Sequence, residues 1–131
     1  MNNRKEIVKL DQIKLMVNSF YDKVRSDALL APIFNRQIGN KWPHHLEKMY
    51  RFWQTVLLSE HTYYGSPFTP HAKLPVGQEH FDRWLELFNH TIDEHFTGEK
   101  AREARWRAGK MAEMFYYKIQ FSKSNPSKPI L

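Results

Sequence analysis

Apolar residues recur at i, i+3, i+4 and i+7 in four separate segments of this 131-residue chain, and that spacing constrains its fold most. An α-helix turns every 3.6 residues, so the spacing lays those side chains along one face. The first segment, about Gln12 to Arg25, carries Ile13, Met16, Val17, Phe20, Tyr21 and Val24, with Asp11 expected as its N-cap. The second, about Pro43 to Ser59, opens on a proline that suits a first helical turn. Its wide apolar face holds Leu46, Met49, Tyr50, Phe52, Trp53, Val56 and Leu57. A third, about Gln78 to Phe96, presents Phe81, Trp84, Leu85, Phe88 and Ile92. The fourth, about Glu99 to Phe121, presents Ala101, Ala104, Ala108, Met111, Ala112, Phe115 and Ile119. Its small residues allow close helix approach or leave room for something else. No strand pattern competes, so the reading is an all-α domain, with one further short helical turn near Ala28–Phe34.

Between the second and third segments, residues 60–77 form a long connection rich in proline and glycine. A loop of that length inside a compact domain points to function. It contains SPFTPHAKLP, where Pro67, Pro70 and Pro75 stiffen the backbone around His71, Phe68 and Leu74. Residues 1–121 read as one domain and 122–131, SKSNPSKPIL, as a loose tail. No apolar run approaches the roughly 18 residues needed to span a bilayer, and the start, MNNRKEIVKL, has no apolar signal core. A cytoplasmic location without membrane contact is the expectation. The absence of cysteine excludes disulfides, thiolate metal sites and covalent haem attachment. The net charge of +6 would suit an anionic partner, but the densest basic group, KAREARWR at 100–107, spreads around a helix. That is the pattern of a solvated face, and no nucleic-acid partner is expected.

The seven histidines need separate readings. No HExxH occurs, and His90 and His95, five apart on one helix, do not share a face. His61 and His80 stand beside polar residues at element ends, where solvation is expected. His45 precedes Met49 by four and so joins the apolar stripe, while His44 faces water. Taken singly, His45, Tyr21 and Trp84 read as ordinary core residues. Taken together they put three hydrogen-bonding side chains on three inward stripes, in a chain with a histidine in a stiffened loop. A haem needs a neutral imidazole as axial ligand and flat apolar walls. His71 and His45 on opposite faces, with Met49, Phe52, Phe68 and Leu74 around the ring, meet both needs. The competing reading is a basic helical module that binds a partner protein or nucleic acid without haem.

Five stretches in a fixed order carry a resemblance: SFYDKV with Tyr21, LAPIFN, WPHHLEKMYRFW with His45, YYGSPFTPHAKLP with His71, and FDRWLELF with Trp84. From about residue 12 to residue 120 the chain resembles the truncated haemoglobins, and within them the third group. It lacks the Gly-Gly pairs usual in the first two groups. The resemblance implies a shortened globin, a 2-over-2 helical sandwich whose B, E, G and H helices enclose haem b. It makes His71 the proximal iron ligand, Tyr21 the main distal donor and Trp84 a second donor. It places His45 at the distal gate with Met49 one turn further in, and makes Lys48 and Arg51 propionate partners. The implied ligands are dioxygen, nitric oxide, peroxide or carbon monoxide, bound by a monomer. Two strong donors imply slow release, hence nitric oxide dioxygenase or peroxidase-like chemistry rather than transport. A separate reductase would supply electrons, since the chain shows no flavin or nicotinamide motif. Whether His45 itself binds iron in the unliganded state stays open at this level.

Overall fold

The computed structural model describes residues 4–65 and 75–124, without the side chains of Ser122 and Ser124. Five α-helices are present among them: α1 (Leu10–Ser26), α2 (Ala31–Ile38), α3 (Trp42–Leu58), α4 (Gln78–His95) and α5 (Glu99–Ser124). A single 3-10 turn, Gly39–Lys41, joins α2 to α3. Helix α1 packs on α3 and α4, α4 packs on α5, and α3 also meets α5. The result is the expected all-α arrangement, with the α1/α3 pair laid across the α4/α5 pair. A lone backbone bridge between Lys5 and Phe96 ties the N-terminal arm to the end of α4 and buries Ile7. Among the described residues no helix is long and apolar enough to cross a membrane.

The stripes read from the periodicity are the faces that pack. Ile13, Met16, Val17, Phe20, Tyr21 and Val24 of α1 are all buried. On α5, Ala101, Ala104 and Ala108 are buried in the main core, where the lack of a large side chain lets the helices close up. Two local expectations need correction. Lys9 rather than Asp11 precedes α1, because the Gln12 side chain reaches back to accept the N–H groups of Lys9 (3.0 Å) and Val8 (3.3 Å). Asp11 therefore lies inside the first turn, where its charge complements the positive end of the helix. The short connector helix starts at Ala31 and runs to Ile38, later than expected.

Asp27 explains that later start. It ends α1 in an extended conformation, and its carboxylate accepts the N–H groups of Leu29 (3.2 Å) and Leu30 (3.1 Å). The Arg83 Nε of α4 donates to the other oxygen at 2.6 Å, so one side chain joins α1, α2 and α4. Burial pushes the Asp27 carboxyl up, but the Arg83 guanidinium and the two N–H groups outweigh it and hold it below the usual carboxylate range. The folded protein therefore binds this proton less readily than the unfolded chain does. The contribution is complete above the unfolded value of about 3.9 and is lost as pH falls through the lower folded value. Asp27→Asn should cost about 1.5–3 kcal/mol near neutral pH, the range for a hydrogen bond to a charged group. The lower end applies because Arg83 is 38% exposed and water screens the pair. Urea melts at pH 7 and pH 3 check this: the difference between variant and wild type should shrink at the lower pH.

Candidate functional site

A cleft of about 850 Å³, counted out to its mouth, opens between the helix pairs. Phe20 and Tyr21 of α1, Ile33 and Phe34 of α2, and Met49, Phe52 and Trp53 of α3 line one side. The other side comes from Val76, from His80, Phe81 and Trp84 of α4, and from Met111, Ala112, Phe115 and Ile119 of α5. Phe81 and Trp84 are only half-buried although they lie on the inward stripe of α4, because they face this space. One wall is stiffened by stacked rings: Phe88 lies between Trp53 (5.3 Å) and Trp84 (5.8 Å).

The lining is apolar apart from a few donors. Tyr21 is 7% exposed, and its hydroxyl makes no hydrogen bond among the described residues. Burial pushes its phenol well above the ordinary tyrosine range, so the group stays a protonated donor. The indole N–H groups of Trp84 and Trp53 likewise have no hydrogen-bond partner among the described residues. These three side chains line the cleft and offer it donors that a polar guest could take up.

Of the residues singled out in the sequence, Tyr21, Met49, Phe52 and Trp84 come together on this cleft. His45 is half-buried beside it, its ring edge-on to Tyr21 at 5.1 Å. Lys48 is exposed, and Arg51 is engaged by Glu47 (2.8 Å) and by the Gln54 side chain (3.0 Å). Neither of these two lines the cleft. His71, Phe68 and Leu74 lie outside the described residues.

The other lining residues were not singled out as site residues in the sequence, Trp53 and His80 among them. Trp53 follows Phe52 on a face wide enough to hold both. His80, expected to be solvated, has a side chain only 16% exposed. Its Nδ1 accepts the Gly77 N–H at 2.9 Å, closer than the Glu79 carboxylate oxygen at 3.3 Å. With Nδ1 accepting, a neutral ring carries its proton on Nε2 and offers the cleft a donor rather than a lone pair. The glycine three residues ahead of His80, at a helix start, is the signal that could have found it.

The comparisons with known proteins agree with this geometry. A family model described as bacterial-like globin matches residues 6–119. The chain belongs to that family. A group 3 truncated haemoglobin of Campylobacter jejuni is 36% identical over 114 residues, covering 84% of this chain and 90% of the relative. The crystal structure of a group III truncated haemoglobin from Campylobacter jejuni superposes with a TM-score of 0.82 and 34% identity. That match covers 88% of this chain and 94% of the other. The protein is thus a truncated haemoglobin of the third group, with the 2-over-2 fold, and a haem-binding globin.

The cleft of this globin suits a haem on its own evidence. Half-buried aromatic walls suit a flat apolar guest, and the Tyr21, Trp53 and Trp84 donors on the lining suit a polar ligand. The reading of a haem-free basic module loses its support. Much of the positive charge on α5 is already paired: Arg105 with Asp93, Lys100 and Arg107 with Glu103, and Lys110 with Glu113.

Proposed function

We propose that this truncated haemoglobin holds haem b through His71 and binds dioxygen and other diatomic ligands beneath Tyr21 and Trp84. On this reading its role is chemistry on reactive ligands, such as dioxygen with nitric oxide, or peroxide, rather than oxygen delivery. The observation that carries the reading is the pair of donors, buried Tyr21 and half-buried Trp84, that line an apolar cleft with no hydrogen-bond partner among the described residues. When bound, the haem supplies an iron that takes up diatomic ligands.

The chain's own residues do the rest. Phe52, Met49 and Phe81 keep water from the cleft, which strengthens every polar contact inside it. The Tyr21 hydroxyl and the Trp84 indole present protons to a ligand that carries partial negative charge, and the stacked Phe88 and Trp53 hold Trp84 in place. Among the described histidines, His80 is the one that lines the cleft, and its Nδ1 already accepts the Gly77 N–H. That tautomer disfavours His80 as an axial ligand and favours His71, which four residues of chain connect to the cleft-lining Val76. Lys48 and Arg51 remain propionate partners only if the guest reaches the outer edge of α3. Turnover would draw electrons from a separate reductase, and the protein acts as a monomer in the cytoplasm.

The test is a titration of the haem-free protein with haemin. An intense Soret band saturating at one haem per chain is expected. A protein that stays colourless would falsify the proposal. Stopped-flow mixing of the oxygen-loaded form with nitric oxide, followed by nitrate analysis, then separates dioxygenase chemistry from simple ligand release.

A further inference from the structure

Trp42, the first residue of α3, is 5% exposed, yet it does not line the cleft. It stands behind the residues that matter there. Its ring lies edge-on to Tyr21 (5.6 Å, 65°) and to His45 (5.6 Å, 90°). With the Tyr21–His45 contact at 5.1 Å, the three rings close a triangle in which each limits the rotation of the other two. Edge-to-face pairs at such spacings hold the attractive geometry of aromatic rings.

Trp42 is itself held from two sides. Its indole N–H donates to the Asn35 Oδ1 of α2 at 3.2 Å, and the Arg25 guanidinium of α1 covers its ring at 4.5 Å. Arg25 makes no ion pair among the described residues, so the Trp42 ring is the contact that places it. Three consecutive helices, α1, α2 and α3, thus meet at a side chain that does not line the cleft.

We propose that Trp42, clamped by Asn35 and Arg25, is a positioning residue that aims the Tyr21 hydroxyl and restrains His45, and so governs how long a diatomic ligand stays bound. The inference rests on the reading of Tyr21 as the ligand donor. A hydrogen bond weakens steeply with misalignment, so loosening the ring behind Tyr21 weakens donation without removing the hydroxyl.

The experiment is a double-mutant cycle on the haem-loaded protein, reading oxygen off-rates and the C–O stretch of the carbon monoxide form. Trp42→Leu should raise the off-rate roughly three- to tenfold, short of complete loss of the Tyr21 bond. It should also split the C–O stretch into several bands, and Trp42→Phe, which keeps a ring, should restore most of both signals. In a Tyr21→Phe background Trp42→Leu should add nothing further. Asn35→Leu, at an exposed position, removes only the indole partner and should move the spectrum the same way by less, which keeps the test usable if Trp42→Leu fails to fold. Equal effects of Trp42→Leu with and without Tyr21 would overturn the proposal, as would an unchanged stretch in Trp42→Leu and Asn35→Leu. If Tyr21→Phe alone leaves the off-rate unchanged, the donor reading fails and this inference with it.

Discussion

His71→Ala is expected to release haem, with affinity falling more than a hundredfold. The scale follows from metal chemistry: losing only an outer-shell partner of a ligand costs roughly 10–100-fold, and His71 is proposed as the ligand itself. Added imidazole should restore the Soret band, because a free base can occupy the space left by the side chain. Haem transfer to an acceptor globin, timed with and without imidazole, measures both effects. The described histidines make the outcome discriminating. His44 and His61 are exposed, His95 bonds to Ser19 at 3.0 Å, and His90 is 66% exposed beside Glu94. Normal retention in His71→Ala with loss in His80→Ala would move the ligand to the one described histidine on the cleft. Loss in neither would shift the assignment to His45.

Tyr21→Phe should accelerate oxygen release about ten- to a hundredfold. A hydrogen bond to a group bearing charge contributes roughly 1.5–3 kcal/mol, and each 1.4 kcal/mol is a factor of ten. The substitution keeps the ring and its contacts with Phe20 (4.9 Å), Trp42 and His45, so stability should change little. Because burial holds the phenol protonated, the wild-type off-rate should stay flat where an exposed tyrosine would begin to ionise. Laser photolysis or stopped-flow displacement by carbon monoxide gives the rate directly. An unchanged rate would remove Tyr21 from the mechanism and leave Trp84 as the donor.

Much of this molecule could be read without coordinates. Every long helix follows an apolar stripe, and its ends fall close to expectation because period, proline and glycine are local signals. Gln78 begins α4 just after Gly77, and Trp42 and Pro43 open α3. One failure had a local cause and the other a distant one. Asp11 looked like a cap until Gln12 took the amides of Val8 and Lys9. The connector helix shifted because Asp27 holds the N–H groups of Leu29 and Leu30, an arrangement supported by Arg83 from 56 residues away. Nothing near Asp27 in the chain announces that partner.

The candidate site divides along the same line. Tyr21, Met49, Phe52 and Trp84 were legible because each lies on an inward stripe and has the size or the donor that a flat, polar-ended guest requires. His80 was misjudged, since its neighbours in the chain are polar and its burial depends on packing around the start of α4. The role of Trp42 was invisible for a similar reason: it is defined by rings from α1 and α3 and by partners on α1 and α2.

By itself, then, the sequence determined that this chain is helical, which faces pack, and which side chains could serve a haem, because helical period and residue chemistry are properties of neighbours along the chain. Only the tertiary structure decided which of those side chains meet. Tyr21, Met49, Trp84 and Phe115 line one cleft because α1 and α3 cross the α4/α5 pair, and such contacts between distant segments follow from packing rather than from any local pattern.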